Sequence, residues 1–291
     1  MFSMESVKQK SGILLIDKRP GPTSRQVVNN VSYLLKTKKV GHIGTLDPFA
    51  SGLLILTVNR ATKIGAYLEA LDKTYIAKLK LGEKTDTGDF TGEIIEKGEV
   101  YKKLDLDKIS AVLASFVGKR NQIPPMYSAL KRDGKPLYKY AREGLTLQRE
   151  PREITIFSLR LLSYQDDIIE FEAKVSKGTY IRTLGEDIAQ QLGSVGHLRQ
   201  LRRTAIGAFQ VQDALSSDDA NYEHLIDMTK ALSHLPHVEI SEEQIVDVKN
   251  GKPQTLDSDE RLLLLTHKNK AIALYEKREN RLYYCRRGLF E

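Results

Sequence analysis

The sequence predicts an α+β protein built on a mixed, largely antiparallel sheet flanked by helices. Two observations support this class. Short apolar segments with a period of two recur along the 291 residues, and segments with helical periodicity lie between them in an irregular order. A hydrophobic content of 41% with 29% charged residues is ordinary for a globular chain. This length allows one large domain with an ample core and one small domain.

The first part of the chain predicts a strand, a helix and two further elements. Residues 12–16 are an apolar run that ends in a turn rich in proline. Thr23 or Ser24 can cap the helix that follows. Residues 59–71 have a helical pattern. In residues 75–81 a series of apolar side chains alternates with Ile76, Lys78 and Lys80, which is typical of a half-buried strand.

The middle of the chain predicts further strands and helices around the same sheet. A polar loop that includes the letters TDTGDFTG is expected at residues 82–92. A helix with Ile109 and Phe116 on its apolar face follows it. Thr183 and Glu186 have the spacing of a capping box, so we expect a helix to begin there. The remaining predicted elements are strands at residues 154–162, 168–175 and 197–209, the last of them basic.

A change of pattern near residues 233–237 predicts a domain boundary. We expect one domain over residues 1–236 and a small β-rich domain over residues 237–291. The predicted strands of the small domain are residues 262–265, 271–275 and 282–285, with a hairpin turn at residues 277–280.

Positive charge is concentrated in one segment of a chain whose net charge is +7. Residues 119–152 contain nine Lys and Arg against three acidic residues, and prolines and glycines interrupt the segment. We interpret residues 121–152 as an insertion that projects from the core. A charged run is usually a solvated face, but the tyrosines interleaved here favour nucleic acid. The candidates for phosphate contact are Lys131, Arg132, Arg142, Arg202 and Arg203.

Several classes of protein are not expected from the composition. A single cysteine, Cys285, excludes an intrachain disulfide framework. The sequence has no apolar run of the ~18–20 residues that a membrane span needs, and its start lacks the apolar core of a signal peptide. No phosphate-binding GxxxxGK[ST] motif occurs, and the six histidines lack metal-ligand spacing. We therefore expect a cytoplasmic monomer with no metal and no cofactor.

The most distinctive stretch is residues 41–58, GHIGTLDPFASGLLILTV. Glycines open it, and Pro48 biases Asp47 toward an extended conformation. A carboxylate is therefore presented on a constrained loop that leads into a buried strand. Taken alone, an Asp-Pro pair more often marks a turn in which the Asp bonds only to nearby amides. The surrounding residues change that balance.

These residues resemble the active-site motif of pseudouridine synthases of the TruB type, G-H-x-G-T-L-D-P-x-A-x-G-x-L. All ten fixed positions of that pattern are filled. The likeness extends from the first strand to Phe209. Its further motifs, in chain order, are LLIDKRPGPTS, KTYIAKLKLG, QIPPMYSALKRDGKPLYKYAREG, GTYIRTLGEDI and HLRQLRRTAIGAF.

The resemblance implies an enzyme that isomerises one uridine of tRNA, at position 55 in the T-arm, to pseudouridine without a cofactor. It implies that Asp47 is the catalytic aspartate. It further implies a pseudouridine synthase fold, an RNA-gripping insertion at residues 121–152 and a small C-terminal domain of the PUA type. The residues expected to bind the substrate are His42, Tyr75, Arg182, Leu201 and Lys18.

The reaction explains why these residue types are needed. Isomerisation breaks the N1–C1′ bond and joins C5 to C1′, so nothing is oxidised or hydrolysed. Three roles for Asp47 fit the sequence: attack on the sugar, attack on the base, and removal of a sugar proton. We expect Arg182 to keep Asp47 ionised by lowering its pKa. Tyr75 would stack on the extruded uracil, and His42 would fill the gap that the uracil leaves.

Individual residues also have simpler interpretations, and two other functions stay open. An arginine at a helix start is usually solvated, and a strand tyrosine is as often a core residue. One alternative function is an RNA-binding module that folds tRNA and has a vestigial aspartate. The other is a hydrolase of nucleosides or glycans, which needs a second acidic residue near Asp47 and no basic insertion.

Overall fold

The computed structural model describes residues 10–99 and 104–290, so most of the N-terminal stretch in which we expected no targeting signal lies outside the described residues. A nine-stranded sheet forms the body of the protein. Its strands are β1 (Gly12–Lys18), β2 (Val40–Ile43), β3 (Ser51–Val58), β4 (Lys73–Leu81), β7 (Gly118–Gln122), β10 (Arg152–Gln165), β11 (Ile168–Val175), β12 (Gly196–Ile206) and β13 (Phe209–Gln210). Strands β5 (Glu83–Thr85) and β6 (Ile94–Lys97) form a separate ribbon, as do β8 (Lys131–Arg132) and β9 (Lys135–Pro136).

A second sheet of five strands is formed by the C-terminal part of the chain. Its members are β14 (His237–Glu239), β15 (Gln254–Thr255), β16 (Leu262–His267), β17 (Lys270–Glu279) and β18 (Leu282–Gly288). The helices of the protein are α1 (Ser24–Leu34), α2 (Gly65–Glu69), α3 (Leu106–Ser115), α4 (Leu137–Arg142), α5 (Ile181–Gln191), α6 (Met228–Ala231) and α7 (Glu242–Lys249). No helix within residues 10–99 and 104–290 is both long enough and apolar enough to cross a membrane.

The main sheet is mixed and largely antiparallel, as the sequence predicted. The strand order is β1-β3-β12-β4-β11-β10-β7, with β2 paired to β3 and β13 paired to β12. Only the contact between β3 and β12 is parallel among the described pairs of this sheet, and it places Arg202 opposite Ser51 and Arg203 opposite Gly52. This single parallel contact brings the strand after Asp47 beside the basic strand β12.

Local sequence explains the start of α1 but not the start of α5. The Thr23 hydroxyl accepts a hydrogen bond from the Gln26 amide, and the Gln26 side chain accepts one from the Thr23 amide, which completes a capping box. The capping box expected at Thr183 was wrong. Helix α5 begins two residues earlier, at Ile181, and its N-cap residue Tyr180 makes no side-chain cap.

Apolar layers cover one face of the main sheet and part of the other. Helices α1, α3 and α5 bury Val28, Ile109 and Ile188 against one face. The opposite face of β1 and β3 packs against α2 and against the second sheet, whose Leu264 and Leu274 belong to the same apolar cluster. Both sheets therefore share a core, although the chain divides between them near His237.

The second sheet differs from the sequence prediction in the position of one turn and in the length of its strands. The turn expected at residues 277–280 lies further on, because β17 continues to Glu279 before the chain reverses. Strands β16 and β18 begin at the predicted residues 262 and 282 but run longer. Helix α7, which the sequence analysis did not predict, packs on β17 through Val248.

The basic insertion projects from the main sheet over a shorter range than predicted. Residues 121 and 122 belong to β7 and residue 152 begins β10, and these two strands pair in the sheet. Between them, residues 123–151 form the ribbon β8–β9 and the helix α4. We refer to residues 123–151 as the insertion from here on.

Gly52 marks the tightest approach between strands beside the site. Its φ of +103° lies in a region that side chains disfavour, and a Cβ there would lie 2.2 Å from the Arg203 carbonyl oxygen. The parallel contact between β3 and β12 therefore requires glycine at this position.

We expect Gly52→Ala to lower the free energy of unfolding by about 3 kcal/mol or more, because both the strained backbone and the backbone clash are unfavourable. Urea titration followed by circular dichroism measures it. Gly134→Ala is the matched control: its φ is +77°, yet no atom lies within 4 Å of the added Cβ. Its loss should be about 1 kcal/mol. Equal losses in the two variants would contradict the proposed clash.

Candidate active site

Asp47 lies on a short loop between β2 and β3 that several backbone contacts hold in place. The Ser24 side chain, at the first turn of α1, accepts from the Leu46 amide at 2.9 Å and donates to the Leu46 carbonyl at 3.1 Å. The Gly21 amide donates to the Pro48 carbonyl at 2.8 Å. The residues on both sides of Asp47 are therefore fixed to the first helix and to the turn before it.

Lys18, at the end of β1, also holds the loop that carries Asp47. Its ammonium donates to the carbonyls of Arg19, Pro22 and Pro48 at 3.0, 2.9 and 3.3 Å, and the residue is 1% exposed. Burial lowers the pKa of Lys18 to about 8, while the charge of Asp47 acts in the opposite direction. We expected Lys18 to bind the substrate; in the structure its ammonium donates to these three carbonyls and so holds the loop.

Arg182 is the direct partner of Asp47. Its Nε lies 2.9 Å from Oδ2 of Asp47, and its side chain is only 4% exposed, whereas that of Asp47 is 34% exposed. The two remaining guanidinium nitrogens donate to the carbonyls of Thr87 and Tyr127, each at 2.6 Å. Each of the three guanidinium nitrogens thus has a partner, and among these partners the side chain of Asp47 is the one that faces the open cavity.

A second carboxylate, Asp89, shares this guanidinium. Its Oδ2 lies 3.7 Å from Nη1 of Arg182, and its Oδ1 accepts from the Thr91 amide at 3.0 Å. Burial raises the pKa of Asp47, Arg182 opposes that rise, and Asp89 adds to it. Arg182 therefore lowers the pKa of Asp47, as we expected, but burial and the charge of Asp89 outweigh it, so the pKa lies above its ordinary value.

A cavity of about 670 Å³ opens in front of Asp47. Tyr75 from β4 and Leu201 from β12 form part of its wall, and both are largely buried, at 8% and 5% exposure. The strand alternation explains this placement, because Tyr75 stands on the core face of β4 and Leu201 faces the same way opposite Ala77. The structure thus brings Asp47, Arg182, Tyr75 and Leu201 to one cavity.

Arg203 has a structural place in the wall of this cavity. It is 1% exposed, and it donates to the carbonyls of Leu53 at 2.7 Å and Gly44 at 2.9 Å. Its guanidinium also lies 6.0 Å from the centre of the Tyr75 ring. We expected Arg203 to contact RNA phosphate, but burial and these carbonyls remove it from the surface.

Arg202 and His42 also differ from what the sequence suggested. Arg202, expected on phosphate, forms a two-pronged pair with Asp17 at 3.0 and 2.7 Å. His42 stands on strand β2 rather than on the Asp47 loop, and its Nδ1 has no hydrogen-bond partner. Burial lowers the pKa of His42, with the nearby charge of Arg203 as a second cause. It does not belong to the wall of the cavity.

The three predicted phosphate contacts of the insertion are exposed. Lys131 lies on β8 with an exposed side chain, and Arg142 ends α4 with its guanidinium 5.5 Å from the Tyr138 ring centre. Arg132 is exposed too, although one of its nitrogens donates to the Gln148 carbonyl at 2.8 Å. These cations remain accessible to a polyanion.

Four residues of the site escaped the sequence analysis: Asp89, Arg152, Lys177 and Tyr180. Arg152 and Lys177 are exposed and border the cavity. Tyr180 lines it as well, and its backbone is fixed by the Gln122 side chain, with bonds of 2.8 and 3.0 Å. The polar loop TDTGDFTG was the available signal for Asp89, because an acidic side chain among glycines and threonines is often a site residue.

Metal binding has no obvious location in this structure. Among residues 10–99 and 104–290, no three His, Cys, Asp or Glu side chains are grouped so that they could hold an ion.

Comparison with known proteins identifies the family. The model of the TruB family pseudouridylate synthase N-terminal domain matches residues 32–181, more than half of the chain. The chain belongs to the TruB family of pseudouridylate synthases. A model of the tRNA pseudouridylate synthase B C-terminal domain matches residues 182–235.

Individual TruB relatives agree with this assignment. The chain is 48% identical to a tRNA pseudouridine synthase B of Francisella philomiragia over 72% of this chain and 69% of that protein. It is 44% identical to the protein of the same name from Chromohalobacter salexigens, over 85% of this chain and 82% of the relative. Among solved structures, the Cbf5–Nop10–Gar1 complex contains a similar chain with a TM-score of 0.70 and 26% identity, covering 91% of this chain and 78% of that one.

We expect Asp89→Asn to lower the pKa of Asp47 in this TruB protein. The substitution removes a negative charge that raises this pKa and leaves the guanidinium of Arg182 to Asp47 alone. Carboxyl-carbon NMR titration of the free protein measures the pKa, with the Asp47 signal assigned by its loss in Asp47→Asn.

Asp167→Asn is the control for this titration, because it removes a carboxylate that pairs with Lys80 at 3.8 Å instead of with Arg182. The pKa of Asp47 should not move in that variant. An unchanged or higher pKa in Asp89→Asn would contradict the shared guanidinium.

Proposed function

We propose that this protein isomerises uridine 55 in the T-arm of tRNA to pseudouridine, with Asp47 as the catalytic carboxylate. The observation that supports this most is the 2.9 Å pair between Arg182 and Asp47 at a cavity of about 670 Å³ whose wall includes Tyr75. Membership of the TruB family supports the reaction, and the names of the relatives support tRNA as the substrate.

The proposed reaction needs little from the protein besides a positioned carboxylate. The N1–C1′ bond of uridine breaks, the uracil turns, and a C5–C1′ bond forms. The proton on C5 then leaves and N1 gains one, so atoms and charge balance without an external reactant. Asp47 is the carboxylate of the cavity that pairs with the buried Arg182, and it can act as nucleophile or as base there.

The other cavity residues fit supporting tasks. Tyr75 offers an aromatic face to the uracil, and Leu201 offers an apolar surface beside it. The guanidinium of Arg182 stabilises the ionised form of Asp47 against the burial that raises its pKa. Because Arg182 keeps two further hydrogen bonds to backbone carbonyls, it holds its geometry while the substrate enters.

The substrate must leave its stack to reach this cavity, and exposed cations lie both at the cavity and on the insertion. Arg152 and Lys177 border the cavity, and the insertion adds Lys131, Arg132 and Arg142. A flipped nucleotide carries phosphates on both sides, so cations at the rim can bind the backbone while the base lies inside. This arrangement supports an RNA substrate over a free nucleoside.

The two alternative functions have weaker support. A hydrolase would need a second acidic residue beside Asp47, and Asp89 is 4% exposed with its oxygens taken by Arg182 and Thr91. Glu69 and Glu153 also line the cavity, and Glu153 pairs with Lys119 at 3.5 Å. The exposed cations of the insertion favour an RNA substrate over a free nucleoside or a glycan. An RNA-binding module without catalysis would not require Asp47 to be exposed to a cavity and paired with a buried arginine. We retain cytoplasmic location and a monomeric state as predictions from the sequence.

We expect Asp47→Asn to abolish turnover while tRNA affinity stays within a few-fold of wild type. The amide keeps the shape of the side chain but can act neither as nucleophile nor as base. Release of tritium from 5-labelled uridine in unmodified tRNA measures turnover, and filter binding measures affinity.

Matched controls make this prediction specific. Asp17→Asn removes a carboxylate that pairs with Arg202 outside the cavity, so it should retain most activity. Mapping of the product should place pseudouridine at position 55. Activity of Asp47→Asn within about tenfold of wild type, a barrier change of ~1.4 kcal/mol or less, would refute the catalytic assignment.

Replacing Lys131, Arg132 and Arg142 together by Ala should weaken tRNA binding and flatten its dependence on salt. Phosphate contacts release counterions, so three lost contacts should reduce the slope of log affinity against log salt by roughly two to three. Single turnover at saturating tRNA should fall less than affinity, because Asp47 is untouched. Binding titrations at several salt concentrations provide the slope.

The control for this triple variant removes the same charge from the far end of the sheet. Lys78, Lys80 and Arg160 each pair with a carboxylate there, at 3.9, 3.8 and 3.1 Å. Their replacement by Ala should leave the salt slope nearly unchanged. An unchanged slope in the variant of the insertion would show that its cations do not contact tRNA. Melting curves check that all variants are folded.

A further inference from the structure

Tyr127 connects the insertion to the active-site arginine through two different groups. Its backbone carbonyl accepts a hydrogen bond from Nη2 of Arg182 at 2.6 Å. Its phenol donates to Oδ2 of Asp86 at 2.9 Å. Asp86 is followed directly by Thr87, whose carbonyl accepts from Nη1 of the same guanidinium at 2.6 Å. The contacts close into a ring formed by Arg182, Tyr127, Asp86 and Thr87.

The Asp86 carboxylate in this ring is held by a second hydrogen bond. Oδ1 of Asp86 accepts from the Glu93 amide at 2.9 Å, which ties the carboxylate across the turn between β5 and β6. A side chain at Gly92 would place its Cβ 2.3 Å from that same oxygen. The carboxylate therefore occupies space that glycine provides, and its second oxygen is directed to the Tyr127 phenol.

The rest of the insertion is more loosely attached. A cavity of about 500 Å³ separates residues 123–127 and 141–149 from the β5–β6 ribbon and from α5. Hydrogen bonds inside the insertion, such as Tyr138 amide to Ser128 carbonyl at 3.1 Å, hold it together as a unit. Because side chains do not fill the space beneath it, its position depends on polar contacts at its base.

Tyr127 makes the hydrogen bonds that join the insertion to Arg182 and to Asp86 of the β5–β6 turn. A rotation of the insertion about its base would carry the Tyr127 carbonyl away from Arg182. The phenol bond to Asp86 opposes that rotation, because it anchors the same residue to the ribbon that supplies the second carbonyl. Burial of Arg182 makes its geometry sensitive to the loss of a carbonyl partner.

We propose that Tyr127 is a positioning residue: with Asp86 as its anchor, it sets the guanidinium of Arg182 for Asp47 and so makes catalysis depend on where the insertion lies. This inference rests on the proposed function and adds to it a residue that does not contact the uracil. A simpler alternative is that the phenol only supports the fold of the insertion. In that case its loss would change tRNA affinity or thermal stability and leave the rate of the bound complex unchanged.

The first test separates the rate of the bound complex from affinity. In Tyr127→Phe and in Asp86→Ala we expect the single-turnover rate at saturating tRNA to fall about tenfold, since small displacements of an active-site group are costly. The dissociation constant should stay within about threefold. The double variant should be no slower than the slower single variant, because both substitutions break the same bond between the Tyr127 phenol and Asp86; Asp86→Ala also loses the bond to the Glu93 amide.

The second readout is the pH dependence of the single-turnover rate. Three charged groups act on the pKa of Asp47: Arg182 on α5, Asp89 on the loop after β5, and Lys18 on β1. Of the two cations, Arg182 is the one that Tyr127 holds. If Tyr127→Phe lets the guanidinium move, Asp47 loses a charge that lowers its pKa, and the acidic limb of the profile should shift to higher pH.

Tyr222→Phe is the matched control, because its phenol donates to the Leu35 carbonyl at 3.0 Å on the other side of the core. It should change neither the rate nor the acidic limb. A rate for Tyr127→Phe within twofold of wild type would overturn the inference, as would a lost rate with an unmoved acidic limb. If the wild-type protein itself leaves uridine 55 unmodified, the proposed function fails and the inference fails with it.

Discussion

A buried guanidinium determines how the parts of this protein meet. Arg182 is 4% exposed, and a charge at such a position is tolerated only when every donor has a partner. Its partners come from separate parts of the chain: the Asp47 loop, the β5–β6 turn and the base of the insertion. Helix α5 can pack as it does only if these parts converge on its first turn. The same requirement assembles the cavity.

Two buried arginines divide the work around this cavity. Arg182 pairs with the carboxylates of Asp47 and Asp89 and lowers the pKa of Asp47 against the effect of burial. Arg203 binds the carbonyls of Gly44 and Leu53 and so fixes the backbone on which Asp47 is mounted. Arg182 therefore affects the pKa of Asp47, and Arg203 fixes the backbone that forms the cavity wall. Their different tasks follow from their partners, since both side chains are equally hidden from solvent.

Sequence patterns predicted the features that depend on neighbouring residues, such as the alternation of a strand and the cap of a helix. The alternation in residues 75–81 became β4 with alternating burial, and Thr23 caps α1. Long-range contacts defeated the same reasoning elsewhere. Helix α5 starts before Thr183, where Gln122 from β7 holds the backbone of its N-cap residue. The phosphate contacts expected on β12 failed for a similar reason, because the partners of that strand's arginines lie some 150 residues or more away in sequence. The family motif singled out Asp47 as a candidate, whereas the polar loop that contains Asp89 could be connected with Arg182 only through the fold.

The core shared by the two sheets gives the C-terminal strands a geometric meaning. Leu264 and Leu274 pack in the same apolar cluster as Leu53 and Ile55, which lie a few residues after Asp47 on the strand that its loop enters. A hinge between the sheets would have to break that cluster. The second sheet is therefore held at a set distance and orientation from Asp47. Any ligand bound to the second sheet would keep a fixed distance from the Asp47 carboxylate.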